Sequence, residues 1–253
     1  MPQVPAARNA LRVLRVLAER SSPVPAAVLA RELDIPRSSL YQLARAMMDE
    51  GFIVHYPEER AYGLSSLVVE IGSASLQTER LRRMAHPLME RLVAASAIPV
   101  VAHLAVLTGA EVTYIDRVSA PRAPTTVSAI GVRLPAHLTA TGRAILAALP
   151  ASQVRALYPH RDALIRRQGP GPTTLAQLDA MLASARERGW SQEDGDVTGG
   201  YSSVAAASLD RNGYPAVAVG VTFRSGVDAA SLAALGTDVS TTAAAITARL
   251  LGR

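Results

Sequence analysis

Cysteine is absent from the 253 residues, which excludes disulfide frameworks, cysteine-ligated zinc, thiol catalysis and iron–sulfur clusters together. Lysine is absent as well, so all 26 basic side chains are arginine. Long apolar runs are missing: a stretch such as 216–221 is far shorter than the ~20 residues a membrane span needs, and no membrane partner is expected. The opening Met1-Pro2-Gln3-Val4-Pro5 lacks the charged and then apolar order of a secretory signal, so a cytosolic, bacterial-type protein is the expectation. Walker A, G-x-G-x-x-G, G-x-S-x-G and H-E-x-x-H signatures are all absent. The histidines, at 55, 86, 103, 137 and 160, never stand at i and i+4. Neither catalytic residues, nor a metal, nor a cofactor is therefore expected, and His103 on an apolar strand reads as a core histidine.

Core material, in contrast, is plentiful. With 49% hydrophobic and 19% charged residues and a mean hydropathy of +0.18, the chain folds, and its length suits one small plus one medium domain. The net charge of +5 permits a nucleic-acid partner. Yet residues 1–64 hold eight arginines against seven acids, so any such partner is met by a few placed guanidiniums, not by a basic tail. Arginine is the better fork for phosphate and guanine.

Residues 1–64 read as a winged helix-turn-helix domain. Asn9 suits the cap of a first helix over 10–20, with Leu11, Val13, Leu14, Val16 and Leu17 as its apolar side. A short second helix over 25–33 opens on Pro25, and Asp34-Ile35 turns the chain. A third helix over 36–50 opens on Pro36 and closes on Gly51. At 100° per residue, Leu40, Leu43, Ala44 and Met47 fall on one stripe and Ser38, Tyr41, Gln42 and Arg45 on the other side. The second set offers a guanidinium for guanine, an amide for adenine and hydroxyls for phosphate, in the turns that enter a major groove. Arg37 and Ser39 flank it and suit phosphates. Residues 52–56 and 61–64 alternate as a hairpin around Pro57-Glu58-Glu59-Arg60, the expected wing.

These residues carry a resemblance. Leu33-Asp34-Ile35-Pro36-Arg37-Ser38-Ser39-Leu40-Tyr41-Gln42-Leu43, with Asp49-Glu50-Gly51-Phe52-Ile53 and Tyr62-Gly63-Leu64, resembles the DNA-binding domain of IclR-family transcriptional regulators. Arg133-Leu134-Pro135-Ala136-His137-Leu138-Thr139-Ala140-Thr141-Gly142-Arg143 and Arg186-Glu187-Arg188-Gly189-Trp190 resemble segments of that family's sensor domain. The resemblance spans residues 10–251 in the right order. It implies a double-stranded DNA operator, a small organic effector and a homodimer or homotetramer. It also implies that the helix over 65–83, with Leu67, Val68, Ile71, Leu76 and Leu81 apolar, links the halves and pairs subunits.

Residues 84–253 read as an α+β domain for effector binding and oligomerisation, in keeping with the GAF-like sensor of the family. Helices are expected over 84–97, 139–149, 174–188 and 229–251, and strands over 100–107, 111–118, 204–209 and 216–223. The small residues at 139–142 open a helix whose amides could meet an anion, and the segment 193–203 reads as a loop at a pocket mouth. Positions carried over from the family place effector contacts at Ala140, Thr141, Glu193, Tyr201, Ser203, Gly220 and Thr222. Ser203 stands where many members have cysteine, and Tyr201 where a smaller aliphatic residue is common. Both departures point to an effector unlike the small 2-oxo acids that some members sense. A GAF-like enzyme or a metal-dependent hydrolase with an accessory helical domain is the rival reading, and a pure dimerisation scaffold is a third.

Overall fold

The computed structural model describes residues 4–20, 22–160, 163–167 and 169–252, apart from the side chains of 73–77. Leu76 of the expected linker stripe is among those outside the description. The chain forms two compact units, Met1–Gln77 and Thr78–Arg253.

The first unit runs α1 (Pro5–Ala18), β1 (Val24–Pro25), α2 (Ala26–Leu33), α3 (Arg37–Asp49), β2 (Ile53–Tyr56) and β3 (Ala61–Leu64). Its core gathers Val13 and Leu17 of α1, Leu29 and Leu33 of α2, and Leu40, Ala44 and Met47 of α3. Each fully buried leucine contributes about 1.5–3 kcal/mol. Asn9 is not a cap. Pro5, whose missing N–H costs nothing in a first turn, starts α1 earlier, with Val4 at the cap position. The turn between α2 and α3 places Asp34 in the left-handed region at φ 53°, which a short polar side chain tolerates, and the Ile35 N–H donates to the Ala30 carbonyl at 3.0 Å. Gly51, at φ 76°, ends α3. The wing has three strands in the order β1-β3-β2, with Val24 opposite Tyr62. A two-residue edge strand carries no periodicity, which is why the alternation pattern shows only the hairpin.

The expected pair of helices over 65–83 and 84–97 is a single helix, α4 (Ser66–Ala95), despite Pro87 inside it. Beyond Thr78 its residues Leu81, Ala85, Leu88, Met89 and Leu92 are buried against the second unit's sheet. That packing carries the helix past the proline.

The second unit continues with β4 (Val101–Thr108), β5 (Glu111–Ser119), β6 (Arg133–Pro135), a 3-10 turn (Ala136–Leu138), α5 (Ala140–Ala148), α6 (Ala151–Leu157), α7 (Leu175–Arg188), β7 (Ser191–Asp194), β8 (Tyr201–Leu209), β9 (Pro215–Arg224) and α8 (Ala229–Leu250). Six antiparallel strands lie in the order β6-β5-β4-β9-β8-β7. One face packs on α4 and α8 through Leu104, Val219, Val221, Phe223, Val239 and Ile246. The other packs on α5, α6 and α7 through Ala105, Ala205, Ala218, Ala140, Ala144 and Leu178. The α+β class stands, but β6 and β7 were not expected as strands and β8 starts three residues before the expected 204. In particular, 191–194 and 201–203 are strand, so the loop at the expected pocket mouth shrinks to 195–200.

Candidate functional site

On α3 the buried set is Leu40, Ala44 and Met47, with Leu43 half-buried. Arg37, Ser38, Ser39, Tyr41, Gln42 and Arg45 are all exposed, Tyr41 by 55% although it is aromatic. Pro36 at the cap position offers no side-chain acceptor, so the first-turn amides of α3 are not capped from within.

In the second unit, register across the sheet builds a row. Val101 of β4 pairs with Thr222 of β9, Thr222 with Ser203 of β8, and Ser203 with Glu193 of β7, so the four side chains share a face. One step along, His103, Gly220 and Ala205 form the parallel row on that face. Gly220 leaves room there: a Cβ would lie 2.8 Å from Ala205 Cβ and 3.0 Å from Thr141 Cγ2. The missing side chain lets the start of α5 approach the sheet.

That start is held in place from several sides. Thr139 caps α5, its Oγ1 accepting the Gly142 N–H at 3.0 Å. A side chain at Gly142 would overlap the Ala136 backbone, so the 3-10 turn and the first turn of α5 are in direct backbone contact. Arg143, 3% exposed, donates from Nε to the His137 carbonyl at 2.8 Å, from Nη1 to the Gln192 carbonyl at 2.8 Å and from Nη2 to Asp196 Oδ2 at 2.5 Å. One guanidinium thereby joins the 3-10 turn, β7 and the loop after β7.

Between this corner and the sheet lies a small recess, with a cavity volume of about 40 Å3. All seven residues named for an effector line it: Ala140 and Thr141 from α5, Glu193 from β7, Tyr201 and Ser203 from β8, and Gly220 and Thr222 from β9. Sequence reasoning missed His103, Tyr114, Thr126, Val127, Ser128 and Leu134 as parts of the wall, whereas Val197 and Thr198 lie in the segment expected at the pocket mouth. The segment between β5 and β6 has no periodicity to betray it, and His103 was set aside because its neighbours in sequence are apolar.

The polar groups of the recess stand in a mostly apolar wall. Ser203 Oγ donates to Glu193 Oε1 at 2.7 Å and lies 2.9 Å from Thr222 Oγ1, while the Asp196 N–H donates to Glu193 Oε2 at 3.0 Å. Burial pushes the Glu193 carboxyl up to about 7, with the Asp196 charge in the same direction; the bonds from Ser203 and Asp196, and the Arg143 charge, hold it down from going further. His103 Nε2 is 3.0 Å from Ser128 Oγ. Burial first, and Arg117 second, pull its imidazole down to about 3, so the ring is neutral. His103 Nδ1 and Thr126 Oγ1 are buried without a partner among the described residues, a costly state unless a ligand or water completes them. No cluster of three or more metal-ligating side chains occurs among the described residues, and none of their helices is long and apolar enough to cross a membrane.

Comparison with known proteins agrees with this geometry. Residues 6–57 match the IclR helix-turn-helix domain and residues 73–248 the bacterial transcriptional regulator IclR C-terminal domain. Transcriptional repressor IclR of Escherichia coli (strain K12) is 28% identical over 221 residues, covering 87% of this chain and 80% of that protein. The Pca regulon regulatory protein of Pseudomonas putida is 27% identical over 212 residues, covering 83% and 71%. Among solved structures, the Agobacterium tumefaciens repressor BlcR matches with a TM-score of 0.62 at 27% identity, covering 98% of each chain. The Thermotoga maritima IclR shares the fold at a TM-score of 0.64 and 21% identity, covering 98% of this chain and 99% of that one. These relatives are regulators and not enzymes, which decides against the hydrolase reading. The chain belongs to the IclR family of bacterial transcriptional regulators, with a helix-turn-helix domain that binds DNA and a C-terminal domain that binds a small-molecule effector.

Proposed function

We propose that α3 reads the operator through Tyr41, Gln42 and Arg45, with Arg37, Ser38 and Ser39 on phosphates, and that the hydroxyl-rich recess of the second unit receives the effector. The uncapped first turn of α3 supports the phosphate role, because its open amides and positive helix end attract an anion. Allostery here is a coupling free energy: the effector biases the placement of two reading heads and so changes operator affinity. The observation that carries the effector half is the convergence of α5, β7, β8 and β9 on one recess where buried His103 and Thr126 atoms lack partners among the described residues.

Two reading heads require a second copy. Val69 and Ile71 of α4 stand 64% and 51% exposed, apolar surface that a homodimer or homotetramer would cover. The operator should then hold an inverted repeat with half-site centres about 10 bp apart, one helical turn, or a multiple of it. Footprinting checks this, and protection of a lone half-site by a monomer counts against it.

A bulky side chain at Ser203 should fill the recess. In a mobility-shift assay with an effector found by thermal-shift screening, wild-type operator affinity should move by about 5–150-fold. Ser203→Leu should show none of that shift while still melting cooperatively. A full response from Ser203→Leu would mean that the effector binds elsewhere.

A further inference from the structure

We propose that the recess is built for an uncharged, hydroxyl-bearing effector and selects against carboxylates; this rests on the effector reading above and names the ligand class. The lining contains a carboxyl group, Glu193, and no arginine, in a chain without lysine. Arg143, at that corner, is spent on Asp196 and on two carbonyls. A ligand carboxylate would therefore lie beside the Glu193 carboxyl in a recess whose lining holds no arginine; Arg117, whose charge is felt at the His103 ring, is not part of that lining.

The start of α5 does not overturn this balance. A helix N-terminus is equivalent to roughly half a positive charge, and at α5 part of it is already taken by the Thr139 cap. An ionised Glu193 offsets it in full. The groups facing Glu193 are Asp196 from the following loop, Arg143 from α5 and Tyr114 from β5, whose phenol burial holds in the neutral form. None of them supplies a free positive charge.

His103 gives the second, independent argument. It lines the recess, is 2% exposed, and has one ring nitrogen near Ser128 while the other has no partner among the described residues. Whichever tautomer is present, a hydroxyl satisfies the orphan nitrogen, because it donates and accepts; a carboxylate only accepts. Thr126 Oγ1, which donates and accepts, is met by either kind of ligand, whereas Glu193, already accepting from Ser203 and the Asp196 N–H, can as a carboxylate take a further bond only from a donor. Diols, hydroxy-lactones and aryl alcohols belong to this class, and their oxidised acids do not.

The test uses matched pairs on the full-length protein: ethylene glycol with glycolate, 1,3-butanediol with 3-hydroxybutyrate, and 4-hydroxybenzyl alcohol with 4-hydroxybenzoate. Affinities would be measured by calorimetry and thermal shift at pH 8 and pH 6. At pH 8 the alcohol of any pair that binds should be favoured by about tenfold or more, the equivalent of one pK unit. The sign of the pH dependence follows from Glu193, ionised above about 7 and neutral below it. Carboxylates should gain about tenfold on going from pH 8 to pH 6, and the alcohols should not. In Glu193→Gln the preference at pH 8 should shrink to a few-fold. A carboxylate that binds wild-type protein at pH 8 as tightly as its alcohol overturns the ligand class and leaves the effector site standing. Silence of every pair at millimolar concentration, in both proteins and at both pH values, overturns the recess as an effector site.

Discussion

Arg143→Leu should destabilise the C-terminal unit by about 3–5 kcal/mol, the cost of leaving a buried partner charge uncompensated. Arg143 and Asp196 are both almost fully buried, so solvent cannot take over the role of the lost guanidinium. The His137 and Gln192 carbonyls lose their donors at the same time. For a unit of this size about 1 kcal/mol corresponds to ~2–4 °C, so the melting temperature should fall by roughly 10 °C, read by circular dichroism. The effector site should suffer with it, since the Asp196 N–H also holds Glu193. Arg143→Leu combined with Asp196→Leu should recover much of the stability, because an apolar pair of similar volume often replaces a buried ion pair at little cost. A single variant that melts within about 2 °C of wild type would show that the corner is held by something other than this network.

Gln42→Ala with Arg45→Ala should abolish most operator recognition and leave the fold intact. Both residues are exposed and opposite the buried Leu40, Ala44 and Met47, so their truncation removes no core. Each good bidentate base contact contributes ~1–3 kcal/mol of discrimination, and the pair together corresponds to a loss of about 30-fold to 20,000-fold in affinity for the specific site. Non-specific binding should change far less, because it depends on phosphate contacts such as those proposed for Arg37. Mobility shifts at fixed salt on operator and on scrambled DNA separate the two effects. Undiminished affinity of the double variant for the operator would remove α3 from the reading role.

The presented face of α3 was legible because a surface helix writes its environment into a 3.6-residue period: Leu40, Ala44 and Met47 are buried where the stripe places them. The turn and the wing were legible through Asp34, Pro36 and Gly51, whose backbone preferences act locally. Asn9 misled for the opposite reason. A capping residue is one local signal among several, and Pro5 supplied a stronger one four residues earlier. The division of α4 at residue 83 failed because the continuity of a helix past Pro87 depends on what Leu88, Met89 and Leu92 bury against, which no window of sequence contains.

By itself, then, the sequence determined the class of each half, the order of helix, turn and wing, the exposed polar set on α3, and, through family resemblance, seven positions of the recess. What only the tertiary structure decided is how those positions are wired. Glu193 is a sheet residue bonded to Ser203, not a loop acid in water; Arg143 is an internal pin; His103 lines the recess and has one ring nitrogen without a partner among the described residues. The physical reason is that strand register and helix approach bring together residues far apart in the chain, as Val101 and Thr222 are paired in one row of the sheet. Burial then sets their charge state, and burial is a property of the packed neighbours, not of the residue or of its place in the chain.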